Sequence, residues 1–190
     1  MVRHGETEWS RSAKHTGRTD VRLTDVGRAQ ARQLTTTLAG RSFSAVLSSP
    51  KVRARETASL AGYGGSTGIL PELSEWDYGV YEGRTTAEIR EDIPGWSVWT
   101  HPIHGGETVD QVGERADALI DRICAAHGDV LLFAHGHILR ILAARWLGLR
   151  ASEGRLFRLD TATVSILGFE RETRVIRRWN DGCHLNPAAG

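Results

Sequence analysis

The five consecutive apolar residues Val130–Ala134 lie between two segments whose apolar side chains recur at helical spacing. Short apolar runs of this kind are typical of strands that are buried on both faces, as in parallel sheets covered by helices. The segment before the run starts at the capping-box pattern Thr108 to Gln111, and the segment after it continues to Gly148. This order of helix, strand and helix predicts an α/β fold, a three-layer sandwich with a mostly parallel central sheet.

The same alternation recurs along the chain. A short strand at Val2 that includes Arg3 and His4 precedes a helix capped by Thr24 and ended by Gly40. Further strands are expected at Phe43–Leu47 and Ile69–Leu70, with a helix over about 51–61 between them, and two last strands at Ala162–Phe169 and Val175–Trp179. We interpret 1–190 as one domain, because 190 residues suit a single hydrophobic core.

One stretch departs from this alternation. Residues 73–108 are rich in Gly, Trp and Tyr, and we interpret them as an insertion with one short helix near 86–91. The tryptophans at 76, 96 and 99 are expected either to cover a site or to belong to the core.

Composition excludes several classes of function. The formal net charge of +1 argues against a broad nucleic-acid or membrane-binding surface. No segment approaches twenty apolar residues and no signal-peptide core is evident, so we expect a cytoplasmic protein. Of the two cysteines, Cys124 lies on the apolar side of a helical pattern and is expected to be a buried free thiol. The outer strands and the Trp-rich insertion make a homodimer possible.

Histidines and arginines follow three separate predicted strands. His4 follows the first, Ser49-Pro50 with Arg53 follows the second, and His135 follows Val130–Ala134. Ligands of parallel sheets bind outside the carboxyl ends of the strands, so these side chains should meet at one rim. Two guanidinium groups suit phosphate oxygens, and a neutral imidazole is a nucleophile near neutral pH. The pattern therefore predicts a site for a phosphate monoester, with a carboxylic acid nearby to protonate the leaving group.

Three motifs carry a family resemblance. Arg3-His4-Gly5-Glu6-Thr7, Ser49-Pro50-x-x-Arg53-Ala54-x-x-Thr57-Ala58 and the later His135-Gly136 together resemble the histidine phosphatase superfamily, in its phosphoglycerate-mutase-like branch. The segment Glu75 to Gly83 is similar to that of actinobacterial broad-specificity acid phosphatases and yeast-type sedoheptulose bisphosphatases. The resemblance covers roughly residues 2–169.

The resemblance implies roles for individual residues. It makes His4 the nucleophile, Arg3 and Arg53 the phosphate clamps, His135 the second pocket histidine and Glu75 the proton donor. It also implies that the substrate or its phosphate contacts the following residues: Ser10, Thr16, Gly17, Tyr78 and Gly136. Glu82 and Glu107 remain rival acids for the role of Glu75.

Two departures from the mutases matter. Ser10 stands where the mutases carry an asparagine, and the insertion has Arg84 and Arg90 but no lysine and no Arg-Arg pair. The mutases use that lysine and arginine pair to hold the substrate carboxylate and the bisphosphoglycerate cofactor. Without them, water should take the phosphoryl group.

We therefore expect a phosphomonoesterase of the acid phosphatase type that needs no metal and no cofactor. It would act through a phosphohistidine on small phosphorylated metabolites such as sugar or glycerate phosphates. A cofactor-dependent phosphoglycerate mutase is the alternative, and a non-catalytic binder of phosphorylated ligands is a more distant one. A metal site at His135 and His137 would need a third ligand beside two arginines, which repel a cation.

Overall fold

The computed structural model describes residues 1–185. Its strands are β1 (Val2–Arg3), β2 (Ala45–Ser48), β3 (Thr67–Ile69), β4 (Val130–Ala134), β5 (Val164–Glu170) and β6 (Thr173–Asp181). Its α-helices are α1 (Glu8–Arg11), α2 (Asp25–Leu38), α3 (Val52–Ala58), α4 (Thr86–Asp92), α5 (Val109–Cys124) and α6 (Gly136–Trp146). A π-type turn at Ser59–Tyr63 extends α3.

The six strands form one sheet in the order β3-β2-β4-β1-β5-β6. The pairs β3–β2, β2–β4 and β4–β1 are parallel, whereas β5 pairs antiparallel with both β1 and β6. The carboxyl ends of β1, β2 and β4 consequently lie at one edge of the sheet, as the sequence predicted. The α/β class with a mostly parallel sheet flanked by helices is confirmed.

Strand β4 shows why a fully apolar run was needed at the centre of the sheet. Leu131 and Phe133 belong to the core that contains α2 residues, whereas Leu132 and Ala134 belong to the core that contains α5 and α6 residues. Successive side chains of a strand point to opposite faces, so β4 supplies both cores at once.

The aromatic segment 73–108 packs into the same core as α5 and α6. Trp76 and Trp96 are fully buried and Trp99 nearly so, which places all three tryptophans in the core. Trp99 also lines the cavity described below.

Most predicted elements are present, with limits shifted by a few residues. The strand expected at Phe43–Leu47 begins only at Ala45, and the one expected at Ile69–Leu70 is Thr67–Ile69. The expectation for Cys124 was wrong, because its side chain is exposed at the last turn of α5. The last buried residue of α5 is Ile120, one turn earlier, and Ile123 is only partly buried against the core. Within residues 1–185 no helix is long and apolar enough to cross a membrane.

Candidate active site

His4 follows β1 directly and is held by its neighbours on two sides. Its backbone N–H donates to the carbonyl of Ala134 at 2.9 Å, and the N–H of Gly5 donates to the Thr57 hydroxyl at 3.0 Å. Position 5 requires glycine, because a Cβ there would lie 2.4 Å from the carbonyl oxygen of Gly27. This close backbone contact fixes the position of the main chain from which the His4 side chain extends.

The tautomer of His4 follows from one hydrogen bond. Its Nδ1 lies 2.7 Å from the carbonyl oxygen of Gly5, which can only accept, so Nδ1 carries the proton. Burial, followed by the positive charges of Arg53 and Arg3, holds the pKa of His4 well below its usual value. The imidazole is therefore neutral at pH 7, with the lone pair on Nε2, which is the state that a nucleophile needs.

Arg53 and His135 form a buried pair beside His4. The Nε of Arg53 donates to Nδ1 of His135 at 3.0 Å, and Nε2 of His135 lies 2.7 Å from the hydroxyl oxygen of Ser49. The other guanidinium nitrogens of Arg53 donate to the carbonyls of Thr16 and Thr19. The rings of His4 and His135 are 5.1 Å apart, so both histidines do meet at the carboxyl ends of β1 and β4.

Arg3 has a donor free for a ligand. Its Nη1 donates to the carbonyl of Leu159, while its Nε is buried and has no partner among the described residues. A buried N–H without a partner is costly, and a bound anion would relieve that cost.

Glu75 lies at the start of α6, where helix N–H groups favour negative charge. Its carboxylate accepts from three backbone N–H groups, those of Trp76, His137 and Ile138, at 2.9 to 3.0 Å. The rival acids are engaged elsewhere: Glu82 accepts from Gly17 and Thr19, and Glu107 pairs with Arg115. Of these three carboxylates, only Glu75 lines the same cavity as His4.

That cavity measures about 520 Å³ and lies at the carboxyl edge of the sheet. Most of the residues that the resemblance singled out line it: Arg3, His4, Ser10, Thr16, Glu75, Tyr78 and Gly136. Arg53 and His135 lie behind this lining and are completely buried. Gly17 lies on the other side of Glu75, and a Cβ there would be 2.4 Å from the carbonyl oxygen of Trp76. The hydroxyl of Ser10 also accepts from the N–H of Thr7, as part of the cap of α1.

The comparison with known proteins agrees with this geometry. Residues 1–182 match the histidine phosphatase superfamily, branch 1. The chain belongs to this superfamily.

Two relatives and one solved structure illustrate the similarity of this histidine phosphatase to known members. An acid phosphatase of Mycobacterium tuberculosis is 45% identical over 100% of this chain and 95% of its own length. The sedoheptulose 1,7-bisphosphatase of Saccharomyces cerevisiae is 35% identical over 78% of this chain and 67% of its own length. The structure of an open reading frame from M. tuberculosis superposes with a TM-score of 0.89 at 42% identity, covering 94% of both chains.

Two further histidines of this histidine phosphatase line the cavity, and sequence reasoning left them without a role. Nδ1 of His137 lies 2.6 Å from the Tyr78 hydroxyl, and the ring of His15 lies 4.8 Å from the ring of Tyr78. Burial lowers the pKa of His15 to about 4, and burial followed by the charge of Arg140 lowers that of His137 well below its usual value. Burial raises the pKa of Tyr78 well above its usual value, so its hydroxyl stays protonated.

The sequence did contain a signal for these residues. His137 is the second residue of a helix that starts at the rim, and His15 immediately precedes the Thr16-Gly17 pair. Both were therefore near the predicted site along the chain. Among the residues that the structure describes, no three His, Cys, Asp or Glu side chains are placed together as ligands for one metal ion.

Proposed function

We propose that this histidine phosphatase hydrolyses phosphate monoesters of small metabolites, such as sugar or glycerate phosphates, through a phosphohistidine on His4. The observation that supports this most directly is the hydrogen bond from Nδ1 of His4 to Gly5. It leaves the unprotonated Nε2 as the reactive atom of a ring that lines the cavity together with Arg3 and Glu75. A nucleophile, a cationic group and an acid thus share one cavity.

In the first step, Nε2 of His4 attacks phosphorus and the bond from phosphorus to the ester oxygen breaks. Glu75, protonated once the negatively charged phosphate lies beside it, gives its proton to that oxygen, and the alcohol leaves. Arg3 lowers the energy of the charge on the phosphoryl oxygens during transfer. Arg53 and His135 form the charged and hydrogen-bonding wall behind His4.

In the second step, the Glu75 carboxylate takes a proton from water while the water oxygen attacks the phosphorus of phosphohistidine. The bond from nitrogen to phosphorus breaks, inorganic phosphate leaves, and both His4 and protonated Glu75 are restored. No step requires a metal or an organic cofactor.

The test is a single-turnover trapping experiment with a ³²P-labelled phosphate monoester. We expect acid-labile, base-stable label on the wild-type protein and none on His4→Ala. His4→Ala should also reduce steady-state hydrolysis on the order of 10³-fold or more, as loss of a nucleophile does in other enzymes. His127→Ala is the matched control, because His127 is exposed and lies outside the cavity. Labelling of the His4→Ala variant would overturn the proposal.

The mutase alternative is separated in the same preparation. Conversion of 3- to 2-phosphoglycerate with added bisphosphoglycerate, at a rate exceeding phosphate release, would identify a mutase. Phosphate release in the presence of excess chelator supports the hydrolase without metal. A homodimer and a cytoplasmic location remain predictions from the sequence.

A further inference from the structure

The cavity continues past His4 to a wall formed by three cationic side chains. Lys14 precedes the Thr16-Gly17 loop, Arg90 belongs to α4 and Arg140 belongs to α6, and all three line the cavity. They come from three separate parts of the chain. Neither the proposed attack on phosphorus nor the proton transfers at Glu75 use any of them.

The charges of these three side chains are only partly offset, because Glu75 acts on Arg140 and the exposed Glu88 interacts with Lys14. Within residues 1–185, none of them forms an ion pair with Asp or Glu. The arginine next to them in sequence is different, because Arg84 pairs with Asp92. Among the described residues, Glu75 is the one carboxylate that lines the cavity, and the backbone at the start of α6 holds it.

The two arginines are anchored through part of each guanidinium. The Nε of Arg90 donates to the carbonyl of Trp96 at 2.8 Å. Nε and Nη2 of Arg140 donate to the carbonyls of Gly154 and Arg155, and its guanidinium lies 4.6 Å from the ring centre of Trp99. These contacts fix the position of each head and leave other N–H groups of each available. An arginine held in this way is pre-organised for an anion.

The electrostatics of the cavity favour a second negative group. Arg3 lines the cavity next to His4, and Arg53 is engaged by His135, Thr16 and Thr19 behind it. Lys14, Arg90 and Arg140 are therefore a positive excess. Like charges that share a cavity repel one another, and an anion placed among them relieves that repulsion.

We propose that Lys14, Arg90 and Arg140 bind a second anionic group of the substrate, a carboxylate or another phosphate carried by the leaving group. This inference rests on the proposed phosphatase activity and narrows its substrate class. The preferred substrates are then monoesters whose alcohol is itself an anion, rather than neutral sugars or simple alcohols.

Two matched pairs of substrates test this assignment. 3-Phosphoglycerate against glycerol 3-phosphate tests the carboxylate, and fructose 1,6-bisphosphate against fructose 6-phosphate tests the second phosphate. The measured quantity is the selectivity, defined as a ratio of two kcat/KM values. The numerator belongs to the substrate whose alcohol carries a second anionic group, called here the anionic member, and the denominator to the substrate whose alcohol is neutral. We expect the wild type to favour the anionic member of at least one pair, and that pair identifies which anion is bound.

Lys14→Gln and Arg90→Gln should each lower this selectivity about tenfold, mainly through KM, because each removes one charge-assisted contact. Arg90→Lys keeps the charge and should retain most of the selectivity even if Arg90→Gln fails to fold. Arg122→Gln is the control, because Arg122 is exposed on α5 and lies outside the cavity. Melting temperatures verify that each variant is folded.

The outcomes of the two proposals are distinct. A wild type that hydrolyses p-nitrophenyl phosphate but shows no preference in either pair overturns the second-anion site and leaves the phosphatase intact. Selectivity that is the same in Lys14→Gln, Arg90→Gln and Arg122→Gln also overturns it. A wild type that hydrolyses no monoester, p-nitrophenyl phosphate included, overturns the proposed function itself.

Discussion

The Nε of Arg53 lies 3.0 Å from Nδ1 of His135, and because a guanidinium can only donate, the imidazole is the acceptor. Burial, followed by the charge of Arg53, also lowers the pKa of His135 well below its usual value. His135 is therefore neutral with its proton on Nε2, which faces the Ser49 hydroxyl. The pair joins the ends of β2 and β4 to the loop that holds Thr16.

This relationship predicts the effect of Arg53→Lys. Lysine keeps the charge, but its ammonium cannot donate hydrogen bonds to His135, Thr16 and Thr19 at the same time. One or two of these buried acceptors therefore lose their donors. We expect the free energy of unfolding to fall by about 2 to 4 kcal/mol, from one or two unsatisfied buried groups. Urea denaturation measures the stability, and steady-state kinetics should show at least a tenfold lower kcat at a temperature where the variant is folded. Unchanged stability would show that these buried contacts contribute little.

Glu75→Gln should separate proton donation from binding. The amide cannot protonate the leaving oxygen, so we expect kcat to fall about 10² to 10⁴-fold for alkyl phosphates, the usual contribution of general acid catalysis. The loss should be smaller for p-nitrophenyl phosphate, whose leaving group needs less protonation. Glu107→Gln is the comparison, because Glu107 pairs with Arg115 outside the cavity of His4. An equal loss on both substrates would argue against Glu75 as the acid.

Stability should fall in mild acid. His4, His15, His135 and His137 have pKa values held below 6.5 by burial, so they are neutral when folded and take up protons when unfolded. For each of them, stability is fully present above pH 6.5 and is lost as the pH falls from 6.5 toward the folded pKa. For His15 that window runs from 6.5 to about 4.

Each histidine in this window adds about 1.4 kcal/mol of lost stability per pH unit. Denaturation curves at pH 7.5, 6 and 5 measure the total slope. His15→Gln should reduce that slope by about 1.4 kcal/mol per pH unit, the contribution of one proton. His127→Gln, at an exposed position, should leave the slope unchanged. A stability that is flat from pH 7.5 to 5 would contradict the burial of neutral imidazoles.

The activity should have an acidic to near-neutral optimum. Because burial keeps the pKa of His4 below its usual value, the free enzyme retains its neutral nucleophile below pH 6.5. The first step consumes a proton at the leaving oxygen, so activity should decline as the pH rises. The measurement is kcat/KM from pH 4 to 9 with two substrates, because an inflection that differs between them belongs to the substrate phosphate. Activity that is flat from pH 5 to 9 would count against Glu75.

The order of strands and helices could be predicted because it depends on local patterns. The capping box at Thr108–Gln111 is present at the start of α5, and the apolar run Val130–Ala134 is β4. The predictions were less accurate for features that tertiary packing determines. Phe43 lies outside β2, and Cys124 is exposed. No local pattern records where a helix leaves the core.

The sequence by itself determined the parallel sheet and the meeting of His4 with His135, because carboxyl ends of parallel strands share one edge and both residues follow such ends directly. The tertiary structure decided which atoms of His135 are free, since the partners of its Nδ1 and Nε2 are Arg53 and Ser49, which are distant along the chain. It also placed Tyr78 against His137, and Lys14, Arg90 and Arg140 around one cavity. These side chains lie on segments far apart along the chain, and only packing brings their charges together.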